Sequence, residues 1–278
     1  MKAPDFQYHC PETLAAALAL MAGEETTALA GGQSLMPMMN FRLTAPDALV
    51  DLNAIEGLDG IRVADQSLQI GAMTRYAALE ASPEIAVHAP LVAKALPHIA
   101  HAAIRNRGTI GGSCALADPA AEIPALLLAL GGEIELQSTA GSRRVAADDF
   151  FLGLYETARR EDELVVAIHI PIAGQDQRCG FYEIARRHGD YAMAGCAIVA
   201  SGDLTGVKIA FFGVSDRAVR ARAAEVALAG TSGGDDAVKA AIEGLGEIDF
   251  AGDMNADAAT KLHLAGVALR RAWAEVMT

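Results

Sequence analysis

The sequence predicts an α+β fold of two domains, and three observations support this prediction. At 278 residues the chain corresponds to about two domains of about 150 residues each, and its 52% hydrophobic content can supply two cores. The N-terminal part alternates strand and helix patterns, whereas the C-terminal part has strand patterns followed by helix patterns. The best linker candidate is the polar stretch IAGQDQR at residues 172–178. We therefore expect a first domain at 1–172, with subdomains of about 1–55 and 56–172, and a C-terminal domain at 178–278.

The first subdomain is predicted to be a small β-α-β unit. Pro11 suits the first position of a helix, because its missing N–H would have no partner there, and Gly23 is a stop signal for that helix. Ser34 is a candidate N-cap for the short helix LMPMMNF. The predicted strands are residues 6–9, 26–30 and 48–53.

The second subdomain is predicted to be built on an antiparallel sheet. Its strand patterns are two hairpins and a strongly β-type run: 60–65 with 67–73, 133–137 with 142–147, and 163–171. One helix pattern begins at Thr74. A second covers residues 82–106, with breaks at Pro90 and Pro97. A third begins at Asp118-Pro119 and runs through Leu130.

The C-terminal domain is predicted to be a three-stranded antiparallel sheet followed by a three-helix bundle. Three strand patterns lie at short spacing, at residues 180–187, 194–203 and 207–216. The helix patterns that follow are 218–229, 236–245 and 256–277. Such segregation of strands and helices is typical of α+β domains.

Composition and charge exclude several classes of protein. A net charge of −13 disfavours a nucleic-acid partner. Long apolar runs and a signal peptide are both missing from the sequence, so we expect a cytoplasmic protein. The four scattered cysteines include no CxxC, which argues against a metal site within the chain.

Two short glycine segments are the strongest functional signals. The first is Ala30-Gly31-Gly32-Gln33-Ser34, and the second is Thr109-Ile110-Gly111-Gly112-Ser113. Glycine pairs let backbone N–H groups approach a bulky anion, and the hydroxyls beside them add donors. A single glycine pair is most often a plain turn, and neither GxGxxG nor GxxxxGK[ST] occurs. Two such segments predict one ligand with two phosphates, or one long nucleotide contacted twice.

Four motifs together resemble a known family. AGGQSLMPMMNFRL, IRNRGTIGGSCALADPAAEIPALLLAL, YETARREDELVVAIHIP and FYEIARRHGDYAMAG resemble the FAD-binding medium subunit of molybdenum-containing hydroxylases, of the carbon monoxide dehydrogenase and xanthine dehydrogenase type. The resemblance covers the whole chain. It implies that the first domain is a PCMH-type FAD-binding domain and that the second is of the carbon monoxide dehydrogenase flavoprotein type.

The resemblance also implies a set of flavin-contacting residues. The Tyr of the GDYA motif, Tyr191, would lie against the isoalloxazine ring, although an ordinary buried tyrosine is the alternative. The full implied set is Ala30, Gly31, Gly32, Gln33, Ser34, Leu35, Thr109, Ile110, Gly111, Gly112, Ser113, Ala117, Asp118, Glu122, Ile123, Leu164, Val165, Asp190 and Tyr191.

Some of these residues have a simpler structural explanation. Asp118 before Pro119 is typical of an N-cap, whereas Glu122, one turn later, is not explained by capping. The sequence also departs from some relatives, which have Lys at the position of Glu183 or Asn at that of Ser113.

Other polar residues stay open in their interpretation. His98 and His101 have the only metal-like spacing, but without a third ligand a solvated or core-edge pair is favoured. Arg105 and Arg107 could steady an anion or pair with carboxylates, and Arg186 and Arg187 could be interface or flavin-side cations.

The implied function is electron transfer. The chain has no HExxH or GxSxG motif, and a flavin requires neither, so no catalytic residue and no metal ligand are predicted. The resemblance implies a heterotrimer in which a large subunit carries a molybdopterin cofactor and a small subunit carries two [2Fe-2S] clusters, assembled as a dimer of heterotrimers. Such a complex would meet a membrane only through a terminal electron acceptor, if at all. FAD in this chain would pass the electrons to an external acceptor. The alternatives are a stand-alone flavin oxidase and a non-catalytic subunit that has lost its flavin.

Overall fold

The computed structural model describes residues 2–23 and 25–278 and has a mixed α/β architecture. The predicted first domain includes residues 1 and 24, which lie outside the described residues. The strands are β1 (Gln7–His9), β2 (Thr26–Leu29), β3 (Ala48–Asp51), β4 (Ile61–Ala64), β5 (Ser67–Gly71), β6 (Glu133–Ser138), β7 (Gly141–Ala146), β8 (Phe151–Gly153), β9 (Glu156–Thr157), β10 (Leu164–Pro171), β11 (Arg178–Ile184), β12 (Ala194–Ala200), β13 (Val207–Phe212) and β14 (Val219–Arg220). The helices are α1 (Leu14–Met21), α2 (Leu35–Asn40), α3 (Tyr76–Glu80), α4 (Pro83–His88), α5 (Pro90–Ala95), α6 (Ala102–Arg105), α7 (Ile110–Leu116), α8 (Glu122–Leu130), α9 (Ala147–Phe150), α10 (Arg222–Leu228), α11 (Asp235–Glu243) and α12 (Ala258–Val276), with short 3-10 turns at Leu96–His98 and Gly244–Glu247.

The predicted β-α-β unit is present as a parallel sheet in the order β1-β3-β2. Both strand pairs in it are parallel, with Ala48 opposite both Gln7 and Thr26. Helix α1 begins later than predicted, because the hydroxyl of Thr13, not Pro11, marks its N-terminus by accepting a hydrogen bond from the Ala16 N–H. Helix α2 follows Ser34 as expected, but the Ser34 side chain makes no capping hydrogen bond.

The central sheet has the order β4-β5-β10-β6-β7, and all of its pairings are antiparallel. Its middle strand β10 is buried from Leu164 through Ile170, which agrees with the continuous apolar run in the sequence. Helix α8 packs against the C-terminal strands β12 and β13 as well as against β10, so it lies between the two sheets. This arrangement places the start of α8 close to both halves of the chain.

Two predicted helix starts in this region are wrong. Thr74 is buried and donates its hydroxyl to the Gly60 carbonyl, so α3 begins at Tyr76 after an uncapped Arg75. The helix expected from Asp118-Pro119 begins instead at Glu122, because the Asp118 carboxylate accepts from the Ala120 N–H and folds residues 118–121 into a turn.

The C-terminal sheet has four strands in the order β11-β12-β13-β14, not the three predicted. The additional strand β14 occupies residues 219–220, where the sequence predicted the start of a helix; Ala210 and Phe211 of β13 pair with it. Three helices follow as predicted; α11 packs against both α10 and α12, and the group covers one face of the sheet, with α12 against β11 and β12 and α10 against β13. The opposite face packs on α8.

Within residues 2–23 and 25–278, no helix is long and apolar enough to cross a membrane. Across the same residues, no group of three or more His, Cys, Asp or Glu side chains could hold a metal ion.

Candidate functional site

A cleft of about 760 Å³ is lined by residues of both glycine segments. It is lined from the first sheet by residues after β2, from the central region by α7 and the start of β10, and from the C-terminal part by residues between β11 and β12. This volume lies within the range of about 300–1,000 Å³ that is usual for small-molecule and cofactor sites.

The first glycine segment leaves β2 and turns tightly into α2. Gly32 has a φ of +71°, a conformation that favours glycine. Gly31 lies directly against the backbone that leads into the second segment, because a Cβ at Gly31 would be 2.2 Å from the Arg107 carbonyl oxygen. The Gln33 side chain donates to the Gly31 carbonyl at 3.0 Å and stabilises the turn. Ala30 through Leu35 all line the cleft.

The second segment is the N-terminus of helix α7, not the loop that the sequence suggested. Thr109 is its N-cap and accepts a hydrogen bond from the Gly112 N–H at 3.1 Å. Gly111 is required by packing, because a Cβ there would lie 2.4 Å from the Ala72 Cβ. Gly112 faces the first segment, where a Cβ would lie 2.8 Å from the Thr109 hydroxyl and 3.7 Å from the Ala30 Cβ. A side chain at Gly112 would therefore crowd the Thr109 hydroxyl that caps α7.

Asp118 and Glu122 line the cleft beside these segments. Burial raises the pKa of Asp118, and burial, together with the nearby Asp118, raises the pKa of Glu122 to about 7. Neither carboxyl group takes part in an ion pair with another described residue. Their oxygens are therefore available as hydrogen-bond acceptors for a hydroxyl-bearing ligand.

Tyr191 and Asp190 approach the cleft from the C-terminal part. The Tyr191 side chain is 69% exposed, which excludes the alternative of an ordinary buried tyrosine. Burial of its hydroxyl group, with Asp118 nearby, raises its pKa. Leu164 and Val165 form the wall of the cleft at the start of β10.

Three of the implied flavin residues do not line the cleft. Ile110, Ala117 and Ile123 are buried in the central hydrophobic core, where they hold α7 and α8 in place. The other sixteen lie around the cleft.

Several lining residues were missed by the sequence analysis. Arg159 and Glu163 lie on the loop before β10, where the Arg159 guanidinium donates to the Glu163 carbonyl at 2.9 Å. His101, interpreted as one of a solvated or core-edge pair, is exposed and lines the cleft next to Gly189; a Cβ on Gly189 would be 2.7 Å from its Nδ1. Because these positions come together only in the folded chain, no local pattern identifies them. Arg186, interpreted as an interface or flavin-side cation, also lines the cleft.

Other candidates have structural roles. His98 packs against the rings of Phe181 and His188. Arg105 forms an ion pair with Glu80 at 2.9 Å, as the structural alternative predicted.

Comparison with known proteins identifies the family. Residues 4–173 match the FAD binding domain in molybdopterin dehydrogenase, and residues 180–276 match the CO dehydrogenase flavoprotein C-terminal domain. The chain belongs to this family of FAD-binding medium subunits. It is thus an oxidoreductase subunit, as the four sequence motifs predicted.

Individual relatives match this chain over most of its length. The chain is 38% identical to the carbon monoxide dehydrogenase medium chain of Hydrogenophaga pseudoflava, over 97% of this chain and 96% of the relative. It is 39% identical to the 6-hydroxypseudooxynicotine dehydrogenase complex subunit alpha of Paenarthrobacter nicotinovorans, over 88% and 86%. A solved structure of the H. pseudoflava enzyme, which lacks the Mo-pyranopterin moiety of its cofactor, superposes with a TM-score of 0.96 at 39% identity and covers 99% of this chain and 98% of that one.

Proposed function

We propose that this chain is the electron-transferring FAD subunit of a heterotrimeric molybdenum hydroxylase, and that FAD occupies the cleft described above. The observation that carries the proposal is that both glycine segments, the two unpaired carboxyls and Tyr191 line one cavity of suitable size. FAD supplies the redox chemistry when bound, since a flavin can accept and release electrons.

The chain's own residues bind and orient the cofactor in this proposal. In the first segment, the backbone N–H groups around Gly32 would donate to the diphosphate, with no side chain at Gly31 or Gly32 in the way. In the second segment the Gly112 N–H already donates to the Thr109 hydroxyl, so that segment lines the cleft without this N–H as a free donor. Asp118 and Glu122 accept hydrogen bonds from ribityl or ribose hydroxyls. Tyr191 supplies a flat face for the isoalloxazine ring.

The proposed partners carry the other redox groups. We propose a large subunit with the molybdopterin cofactor and a small subunit with two [2Fe-2S] clusters, assembled as a dimer of heterotrimers in the cytoplasm. The two relatives are named for carbon monoxide and for 6-hydroxypseudooxynicotine, so the substrate class of this complex stays open. We also propose domain boundaries at 1–172 and 178–278, because residues 172–177 connect the central sheet to β11.

A flavin-removal experiment on the complex tests this function. The tagged chain is purified from its host, its co-eluting chains are identified, and the complex is assayed before and after FAD is removed. We expect substrate to bleach the iron-sulfur clusters of both preparations, but acceptor reduction to stop without FAD and to return when FAD is added back.

The competing functions give different results. A stand-alone oxidase would elute without partners, and candidate substrates would bleach its flavin directly under anaerobic conditions. A non-catalytic subunit would stay colourless even in the presence of added FAD. Either result overturns the proposal.

A further inference from the structure

A hydrogen-bonded group lies behind the two glycine segments and outside the cleft. It consists of Tyr8, Asp51, Asn53 and Arg75, here called the clamp. Arg75 and Asn53 line a separate, smaller cavity of about 280 Å³ and are not among the residues that line the main cleft. Any effect of the clamp on a ligand in the cleft must therefore act through other residues.

Arg75 connects the two glycine segments. One guanidinium nitrogen donates to the Arg107 carbonyl, two residues before the second segment, and the other donates to the Asn53 side-chain oxygen. The Asn53 amide nitrogen in turn donates to the Ala30 carbonyl at the start of the first segment, at 3.0 Å. A single planar side chain thus binds the carbonyl just before the second segment directly, and the first carbonyl of the first segment through Asn53.

The orientation of Asn53 is fixed by its neighbours. Asp51 accepts from the Asn53 backbone N–H at 2.9 Å and from its amide nitrogen at 2.5 Å. Tyr8 donates its hydroxyl to the other Asp51 oxygen at 2.5 Å. Burial would raise the pKa of Asp51, but hydrogen bonds from Tyr8 and Asn53 outweigh it and hold the pKa below its usual value. An ionised Asp51 keeps the amide nitrogen of Asn53 toward Ala30 and its oxygen toward Arg75.

The Arg107 carbonyl, which accepts a hydrogen bond from Arg75, is also in contact with the first segment. A Cβ on Gly31 would be 2.2 Å from the Arg107 carbonyl oxygen, so the two backbones are in direct contact there. Arg75 also forms an isolated β-bridge with Thr109, the N-cap of α7. A change in the position of the Arg107 carbonyl would therefore change the width of the gap between the segments.

We propose that Arg75 is a positioning residue that sets the separation of the two glycine segments and thereby the affinity of the cleft for FAD. This inference rests on the proposed function, because it assumes that FAD is the ligand. In this proposal Arg75 makes no contact with the ligand.

Titration of FAD onto the deflavinated full chain, followed by flavin fluorescence, tests the inference. We expect Arg75→Ala to weaken FAD binding by about tenfold or more, since it removes two charge-assisted hydrogen bonds. Arg75→Lys keeps the charge but not the two-pronged geometry, so it should recover only part of the affinity. Arg62→Ala is the matched control, because Arg62 is an exposed arginine that bonds to Gln69 on a neighbouring strand, away from both segments.

A double-variant comparison separates positioning from a general loss of structure. If Arg75 acts through Asn53, Asn53→Ala should weaken binding as well, and the double variant should be little worse than Arg75→Ala alone. Asn53 is exposed, so its variant carries the test if Arg75→Ala does not fold. The inference is overturned if Arg75→Ala binds FAD as tightly as the wild type, or if the two losses add in full. A wild-type chain that binds no FAD would instead refute the proposed function.

Discussion

Glu183 is a partly buried residue of β11 whose surroundings disfavour its charged form. It lies on β11 with Phe181 two residues earlier on the same face, and Phe181 belongs to the core that includes α8. One carboxylate oxygen of Glu183 is buried without a hydrogen-bond partner among the described residues. Burial, and secondarily the nearby Glu122, raise the pKa of Glu183 to about 8. Folding therefore favours the protonated form of this side chain.

The burial of Glu183 should make the stability of the protein depend on pH. Because the pKa of Glu183 rises from 4.5 to about 8 on folding, its contribution to stability is fully present below pH 4.5 and is lost as pH rises toward about 8. At about pH 4.5 we expect Glu183→Gln to unfold near the wild-type temperature. At pH 8 the variant should unfold at a temperature about 2–4 °C or more above that of the wild type, which corresponds to a gain of about 1 kcal/mol in the free energy of unfolding. Thermal unfolding followed by circular dichroism at both pH values measures the difference.

An exposed carboxylate supplies the control for Glu183. Glu243→Gln on α11 removes the same charge from an exposed position, so its effect on the unfolding temperature should be small at both pH values. If both variants respond alike to pH, the burial of Glu183 is not the cause.

At the scale of elements, α7 is held by a contact that only glycine permits. Gly111 presses against Ala72, and its N–H donates to the Ala72 carbonyl at 2.9 Å. We expect Gly111→Ala to lower the free energy of unfolding by about 1–3 kcal/mol, because a Cβ would overlap the Ala72 Cβ and force α7 away. Chemical denaturation of the full chain measures this loss.

Gly246 provides the matched glycine. A Cβ there would meet no atom within 4 Å, so Gly246→Ala should change stability by about 1 kcal/mol or less. Equal losses in the two variants would contradict the packing role of Gly111.

The same elements show what the sequence could predict. The parallel unit β1-β3-β2 and the buried strand β10 were predicted, because alternation and apolar runs report burial directly. The start of α8 was misplaced because Asp118 is equally suited to an N-cap and to a turn, and only the fold decides between them. Strand β14 was missed because two residues carry no periodicity and pair only when β13 is in place.

The residues in and around the cleft likewise divide into those that the sequence predicted and those that only the fold brings together. The glycine segments were visible as local motifs, and the family resemblance added Tyr191 and Glu122. In contrast, Arg75 and Asn53 are separated from each other by 22 positions and carry no motif, so their link to the glycine segments is visible only in three dimensions. Contacts between distant segments are what a single sequence does not report.

At the scale of the whole molecule, the proposed FAD site joins two halves of the chain that also share a central core. One hydrophobic cluster lies entirely within residues 194–276, and another joins α1 to the start of β10. The central cluster contains residues of both halves, including Leu126 of α8 and Phe212 of β13. A ligand in the cleft would also contact both halves, from Gly32 to Tyr191.

FAD should therefore stabilise the chain as one unit. At a free concentration of about 100 times the dissociation constant, a ligand that binds only the native state adds about 2.7 kcal/mol. For a chain of this size we expect the unfolding midpoint to rise by about 5–10 °C. Scanning calorimetry of the deflavinated chain with and without FAD measures it, with FMN, which lacks the second phosphate, as the control ligand. Because the cleft spans both halves, the whole transition should move together. If FAD shifted only part of a split transition, or FMN stabilised the chain as much as FAD, the ligand would not bridge the two glycine segments and the C-terminal part as proposed.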